Sequence, residues 1–273
     1  MSEQQRVDFQ GSDRAWTAIE ALFARMQALP ESGSPRTNLA PRQVDLSQPA
    51  GHRVYIQAHA LLGFAYEHHQ AYRAYIDVVG FGPRAPFNLL RPVLESSLWV
   101  LWILDPQDSA TRRRRALQYE IHDFKAEIAY LQELGKCSGG LPMREAAAHR
   151  QATAGKSYRD EAERMGLDYR ELSRAPLNLT DEIPKMQRLL TRYDSDTARL
   201  IVAEWRRLSG YQHGKAWSVA LGSDQSFVAK VPGGQVVHIL ASDNSISLAT
   251  GLTAFVFIEA LTLYIDRCET PIR

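Results

Sequence analysis

Residues 12–29 read SDRAWTAIEALFARMQAL, and the spacing of their apolar side chains decides what kind of protein this is. Trp16, Ile19, Leu22, Phe23 and Met26 recur every three or four positions, which gathers them on one face of a helix with 3.6 residues per turn. Ser12 or Asp13 can cap the first turn, and Pro30 ends the run.

The same pattern repeats along the chain. A long helix is predicted over 53–79, closed by Gly80-Phe81-Gly82-Pro83, and another over 85–104, closed by Asp105-Pro106. Ser109 can cap a helix to Leu134, with Gly135 as its natural terminator. The loop Ser138-Gly139-Gly140-Leu141-Pro142 leads into a polar helix rich in Ala and Arg that runs to about Met165 and stops at Gly166. Thr180 can cap 181–193, and Ser195 or Asp196 can cap a helix through Trp205 and Leu208 towards Gly210. Two short strand-like runs, 226–231 and 235–241, flank the turn Pro232-Gly233-Gly234 before an apolar C-terminal helix. The expected class is all-α: a multi-helix bundle of about seven helices with one small β-hairpin before the C-terminal helix. Residues 1–50 read as an N-terminal helix and an arm rich in proline (Pro30, Pro35, Pro41, Pro49), and 51–273 as the helical bundle domain.

Composition is globular, with 45% hydrophobic and 23% charged residues. Thirty-two Lys and Arg against 31 Asp and Glu give a formal net charge of +1, so bulk attraction to nucleic acid or membrane is not indicated and an anion-binding surface must be a local patch. The two cysteines, Cys137 and Cys268, have no metal-ligand spacing. The polar start Met1-Ser2-Glu3-Gln4-Gln5 has no apolar signal region, and the expected location is cytoplasmic. Two stretches are apolar enough to need a membrane check. Residues 86–104 carry Arg91 and Glu95, and 246–265 carry Glu259, Ser247, Gly251 and three threonines; charges at bilayer depth are costly, so both read as core helices and no membrane partner is expected.

The segment from Trp205 to Gly214, WRRLSGYQHG, is the most suggestive for chemistry. On a continuous helix Arg206 and His213 fall within about 20° of one another, and Ser209 lies one turn before His213 on the same side. An imidazole that titrates near neutrality can move the proton of a ribose 2′-hydroxyl or of a leaving oxygen. A guanidinium beside it can hold the phosphate by two bonds and stabilise added negative charge. Arg53/His59, Arg115/His122 and Arg144/His149 share the spacing, and the position late in the chain among glycines singles out 206–213.

At these residues the sequence resembles the HEPN superfamily, helical bundles whose ribonuclease members carry Arg, four to six residues, then His late in the domain. Arg206 and Arg207 both meet that spacing with His213. The resemblance implies metal-independent RNA cleavage, or RNA binding alone, at a composite site formed by two subunits of a homodimer, and a place in bacterial defence or a toxin system. The candidate catalytic residues are then His213, Arg206, Arg207 and Ser209. No cofactor is implied.

Three further groups stand out. Arg112-Arg113-Arg114-Arg115 open a helix, where four cations oppose the dipole; with Lys215 they are candidates for RNA phosphate, or else form a solvated turn paired with Asp105, Asp108 or Glu120. Arg91 and Glu95 are one turn apart in an apolar helix, which predicts a buried ion pair supporting a polar pocket near His213 or His69. Glu67-His68-His69 raises the question of a metal, but no Glu-x-x-His occurs and adjacent histidines diverge by about 100°, so no metal site is expected. The alternatives to an RNA-directed protein are a non-enzymatic helical interaction protein and a small-molecule enzyme with a polar pocket in the bundle.

Overall fold

A computed structural model describes residues 10–29 and 40–269. In chain order the elements are α1 (Gln10–Gln27), α2 (Pro41–Leu46), α3 (Gly51–Val79), α4 (Ala85–Leu104), α5 (Ser109–Gly135), α6 (Leu141–Arg164), α7 (Tyr169–Arg174), α8 (Leu179–Glu182), a 3-10 turn (Ile183–Lys185), α9 (Gln187–Arg192), α10 (Ser195–Gln212), α11 (Ala216–Gly222), β1 (Ser223–Val231), β2 (Gly234–Ala241) and α12 (Asp243–Glu269). The fold is an all-α multi-helix bundle with one two-stranded antiparallel hairpin before the C-terminal helix.

Among the described residues there are twelve α-helices rather than seven, and each added element has a local reason. Part of the proline-rich arm is α2, because Pro41 takes the first helical position, where its fixed φ suits the turn and its missing N–H is no loss. Residues 30–39 of that arm lie outside the described residues. The expected helix 181–193 is broken at Pro184, which cannot donate and crowds the preceding turn, so a 3-10 turn separates α8 from α9. Helices α7 and α11, of six and seven residues, are too short for periodicity to reveal. The caps also move. Asp108, not Ser109, starts α5, its carboxylate accepting from Thr111 N at 2.7 Å. Asp194, not Ser195 or Asp196, starts α10 by the same bond to Thr197 N at 2.7 Å. Both aspartates have extended backbone, as a cap requires, while the residues after them are already helical. Helix α1 begins two residues ahead of the expected cap at Ser12.

The chain forms two compact units, and α3, α4 and α12 contribute residues to both. Of the described residues, the first comprises 10–29, 59–102 and 179–266. Its core is apolar, with Ile19, Met26, Leu62, Tyr72, Phe87, Leu90, Leu94, Leu98 and Phe257 fully buried. Phe23 stacks on Tyr66 with centroids 3.7 Å apart, and His69 lies between Trp16 and Phe257. Glu259, the charge in the apolar C-terminal helix, is buried with three donors: Arg188 Nε at 2.6 Å, Arg192 Nη1 at 3.2 Å and Tyr193 Oη at 2.8 Å. Two helices, α4 and α12, are long and apolar enough to cross a membrane; within their most apolar windows, 72% and 61% of residues are buried inside the protein.

The second unit comprises, of the described residues, 40–58, 103–178 and 267–269. Leu117, Ile121, Ala162 and Leu172 form one apolar cluster, and Phe124, Ile128 and Ala147 another. Much of its interior is ionic. Arg112 grips Asp45 with two 2.8 Å bonds, and Tyr55 Oη donates to the same carboxylate at 2.9 Å. Arg53 bridges Glu120 and Glu161. Arg267 donates to the carbonyls of Leu104, Asp105 and Pro106, satisfying acceptors that the end of a helix leaves without partners.

The hairpin runs from Ser223 paired with Ala241 to Val231 paired with Gly234, with Val228 as the extra residue of a bulge. Its base is closed by Ser242 N donating to Gly222 O at 3.1 Å.

Candidate functional site

Helix α10 carries the Arg–His constellation, and its two ends are fixed by different chemistry. Asp194 caps the start, and a Schellman turn closes the end: Lys215 N donates to Gly210 O at 2.8 Å and Gly214 N to Tyr211 O at 3.1 Å. Gly214 has φ +63°, the left-handed backbone such a turn needs. Gly210 does not break the helix, which runs unbroken to Gln212 with His213 as its last capping residue.

Arg206 and His213 are both exposed and Ser209 is half-buried between them, with Ser209 O accepting from His213 N at 3.0 Å. Seven residues on a continuous helix return to the same face, so both exposed side chains rise from one side of α10. Arg206 and Lys215 make no ion pair among the described residues. Arg207 has a different fate. Its Nε and Nη2 hold Glu204 at 2.9 and 2.7 Å, Nη2 also reaches Ser245 O at 3.0 Å, and its plane lies over Phe87 at 5.1 Å. Glu204 is buried, so Arg207 is the counter-ion of an interior carboxylate. Of the two arginines that meet the spacing, only Arg206 shares the open face with His213.

Helix α11 packs against this end of α10 through glycines. A Cβ on Gly210 would come within 2.8 Å of Ser218 Cβ and 2.9 Å of the Trp217 ring; one on Gly222 would come within 1.9 Å of Tyr211 Oη. Tyr211 is stacked on Phe87 at 4.2 Å and 10°, so it is part of the core. Burial raises its hydroxyl pKa, the nearby Arg207 opposing. Trp217 keeps 48% of its surface exposed while its ring edge rests on Gly210. Trp217 is thus a flat, exposed aromatic beside the Arg206–His213 face. Glu204 was missed by sequence reasoning, although its three-residue spacing from Arg207 was a visible signal.

Arg91 and Glu95 form the expected ion pair, at 2.9 Å, but burial is one-sided: 6% of the Arg91 side chain is exposed against 36% of Glu95. Among the described residues Arg91 makes no ion pair or hydrogen bond with His213 or His69; it lies 4.3 Å over the ring of Trp205. Its Nε and Nη1, and Trp205 Nε1, are buried without a hydrogen-bond partner among the described residues. Burial depresses the pKa of this guanidinium, with Glu95 opposing.

The arginine run divides by residue. Arg112 is 1% exposed and bound to Asp45, which removes it from any phosphate surface. Arg113 is half-buried and donates to Pro49 O at 3.0 Å. Arg114 is exposed, 3.8 Å from Glu171, and Arg115 is half-buried. The run sits in the second unit, whereas 206–213 belongs to the first.

His68 Nδ1 is 3.0 Å from Phe64 O, and His69 is enclosed by aromatic rings. Among the described residues no group of three or more His, Cys, Asp or Glu is placed to hold a metal ion. Compared with protein-family models, with curated proteins and with solved structures, the chain matches none.

Proposed function

We propose that the protein is an RNA-directed, HEPN-like helical module that cleaves single-stranded RNA without a metal through the exposed face of α10. The observation that carries this reading is the placement of Arg206, Ser209 and His213 on one open side of an unbroken helix, with Arg207 withdrawn to neutralise Glu204. His213 takes the proton of the 2′-hydroxyl, which attacks the adjacent phosphorus while the 5′-oxygen leaves and is protonated. Arg206 holds the phosphate and the charge that builds on it. Lys215 adds a cation at the helix end, and the open Trp217 ring gives a base a surface to stack on, an interaction worth about 1–3 kcal/mol per base. Two copies of the chain, paired along this face, supply a second histidine for the leaving oxygen.

Incubation of the purified chain with single-stranded RNA in EDTA should yield 2′,3′-cyclic phosphate ends, and DNA should stay intact because it lacks the nucleophile. His213→Ala should lower the rate about 10²–10⁴-fold, and Arg206→Ala should weaken it, both with unchanged melting curves. Arg207→Ala should instead lower the melting temperature, since it leaves Glu204 buried without its counter-ion. Cleavage that needs a metal, or that survives His213→Ala, rejects the mechanism.

A second reading is a non-enzymatic interaction protein. It is favoured by the apolar side chains left open on α11 and the hairpin, Leu221 at 73% and Phe227 at 60% exposure. An inactive wild type that binds no RNA would put this reading first.

A further inference from the structure

The second unit contains a cleft of about 560 Å³ between α5, α6 and the start of α7. Its position follows from side-chain size. Positions 125, 129 and 132 of α5 face positions 151, 152, 155 and 159 of α6, and at the centre of both rows the residues are small: Ala129, Ala152 and Gly155. A Cβ on Gly155 would already press within 3.3 Å of the Phe124 ring. The floor is apolar, with Phe124 and Ile128 at 6% and 7% exposure, and Tyr169 forms one end wall.

The charge on the walls has one sign. Lys125 and Arg159 line the cleft, and no carboxylate does. Two other cations of α6 are neutralised locally: Arg150 by Glu127 through two bonds of 2.8 and 2.7 Å, and Lys156 by Asp160 at 2.8 Å. Arg159 makes no ion pair among the described residues, and its guanidinium stands 5.9 Å from the centre of the Tyr169 ring. Among the described residues Lys125 donates to a carbonyl, Ser173 O at 2.7 Å, and to no carboxylate. The combination is an apolar floor wide enough for a ring system, a volume within the ~300–1,000 Å³ of small-molecule sites, and two cations that make no ion pair among the described residues.

We propose that this cleft binds a small amphipathic anion: a molecule with an aromatic or alicyclic body and a single acidic group. The body lies on Phe124 and Ile128 in the space left by Ala129, Ala152 and Gly155. The acidic group meets Arg159, which supplies a planar pair of donors, with Lys125 adding charge across the cleft. This site is separate in residues from the face of α10 and does not depend on the RNA reading.

The dye 1-anilinonaphthalene-8-sulfonate has this chemistry and reports its own transfer to an apolar site by fluorescence. Titrated into the full chain at neutral pH, it should bind saturably with a component of one per chain. Arg159→Gln should weaken that component by about tenfold, equivalent to about 1.4 kcal/mol. Ala152→Trp, and independently Ala129→Trp from the opposite wall, should abolish it by filling the space. These positions are exposed, so circular dichroism melts should match the wild type and exclude dye uptake by unfolded chain. His213→Ala should bind the dye normally. The uncharged analogue N-phenyl-1-naphthylamine should bind more weakly, and equal binding overturns the anionic assignment. Dye binding unaltered in all three cleft variants overturns the site.

Discussion

Arg112 and Arg114 stand two residues apart and meet opposite environments: one is locked to Asp45 inside the second unit, the other faces solvent. Nothing in four consecutive arginines distinguishes them, because the distinction is made by Asp45, 67 residues away in a stretch whose prolines suggested an arm. By contrast, the Arg91–Glu95 pair was readable, since both partners lie on one helix at ion-pair spacing. His69 is a third case, a polar residue held neutral. Burial between Trp16 and Phe257, with Arg73 adding to it and Glu20 opposing, pushes its pKa down to about 4 from 6.5. Between those values the unfolded chain binds a proton that the folded chain refuses, so His69 costs no stability above about pH 6.5 and progressively more as the pH falls towards 4, at most roughly 3 kcal/mol. Denaturant melts of the wild type and His69→Met at pH 7 and pH 4.5 should show a smaller acid loss in the variant. Identical losses would mean that other groups carry the acid sensitivity.

Among elements, the long helices were legible because periodicity and stop signals agree over many turns. The short ones were not: six or seven residues cannot display a period, and α7 and α11 exist because neighbours hold them. Glycine shows how little of this packing the sequence reveals. Gly210 and Gly251 both lie within helices and are indistinguishable by propensity. A Cβ on Gly210 would collide with Ser218 and Trp217, while one on Gly251 would meet nothing within 4 Å. Gly251→Ala should therefore stabilise the protein by about 0.5–1 kcal/mol through helix propensity. Gly210→Ala should destabilise it by about 1–3 kcal/mol, because α11 must move off α10. Thermal melts of the two variants should shift in opposite directions, and a shared sign would argue against close packing of α10 on α11.

At the scale of the molecule, both units bury ionic groups. The first encloses Glu204 with Arg207, and Glu259 with Arg188, in a large apolar interior, and the second sets Asp45, Tyr55 and Arg112, and then Arg53, Glu120 and Glu161, among its apolar clusters. A buried ion pair is weak evidence of stability, yet removing one partner is severe, about 3–5 kcal/mol. Asp45→Ala should thus reduce hydrogen-exchange protection in α5, α6 and α7 more than in α10, measured residue by residue. Uniform loss along the chain would mean that both units open together. The candidate site was legible to the extent that it lies within one helix: the Arg206–Ser209–His213 face follows from spacing alone, whereas the withdrawal of Arg207 and the openness of Trp217 depend on α4, α11 and α12.

The β-hairpin departs from the fold and returns to it at one point, where Ser242 meets the carbonyl of Gly222. At its far end Gly233, at φ +81°, and Gly234 have no neighbour within 4 Å that an added Cβ would touch. Extra chain inserted between those two glycines starts and finishes in open solvent, with both ends already brought side by side by the ladder. The protein thereby comes with a mount for cargo: a fluorophore sequence, an affinity handle or a whole second domain can be carried there, at a distance along the ladder from both the α10 face and the helices beneath.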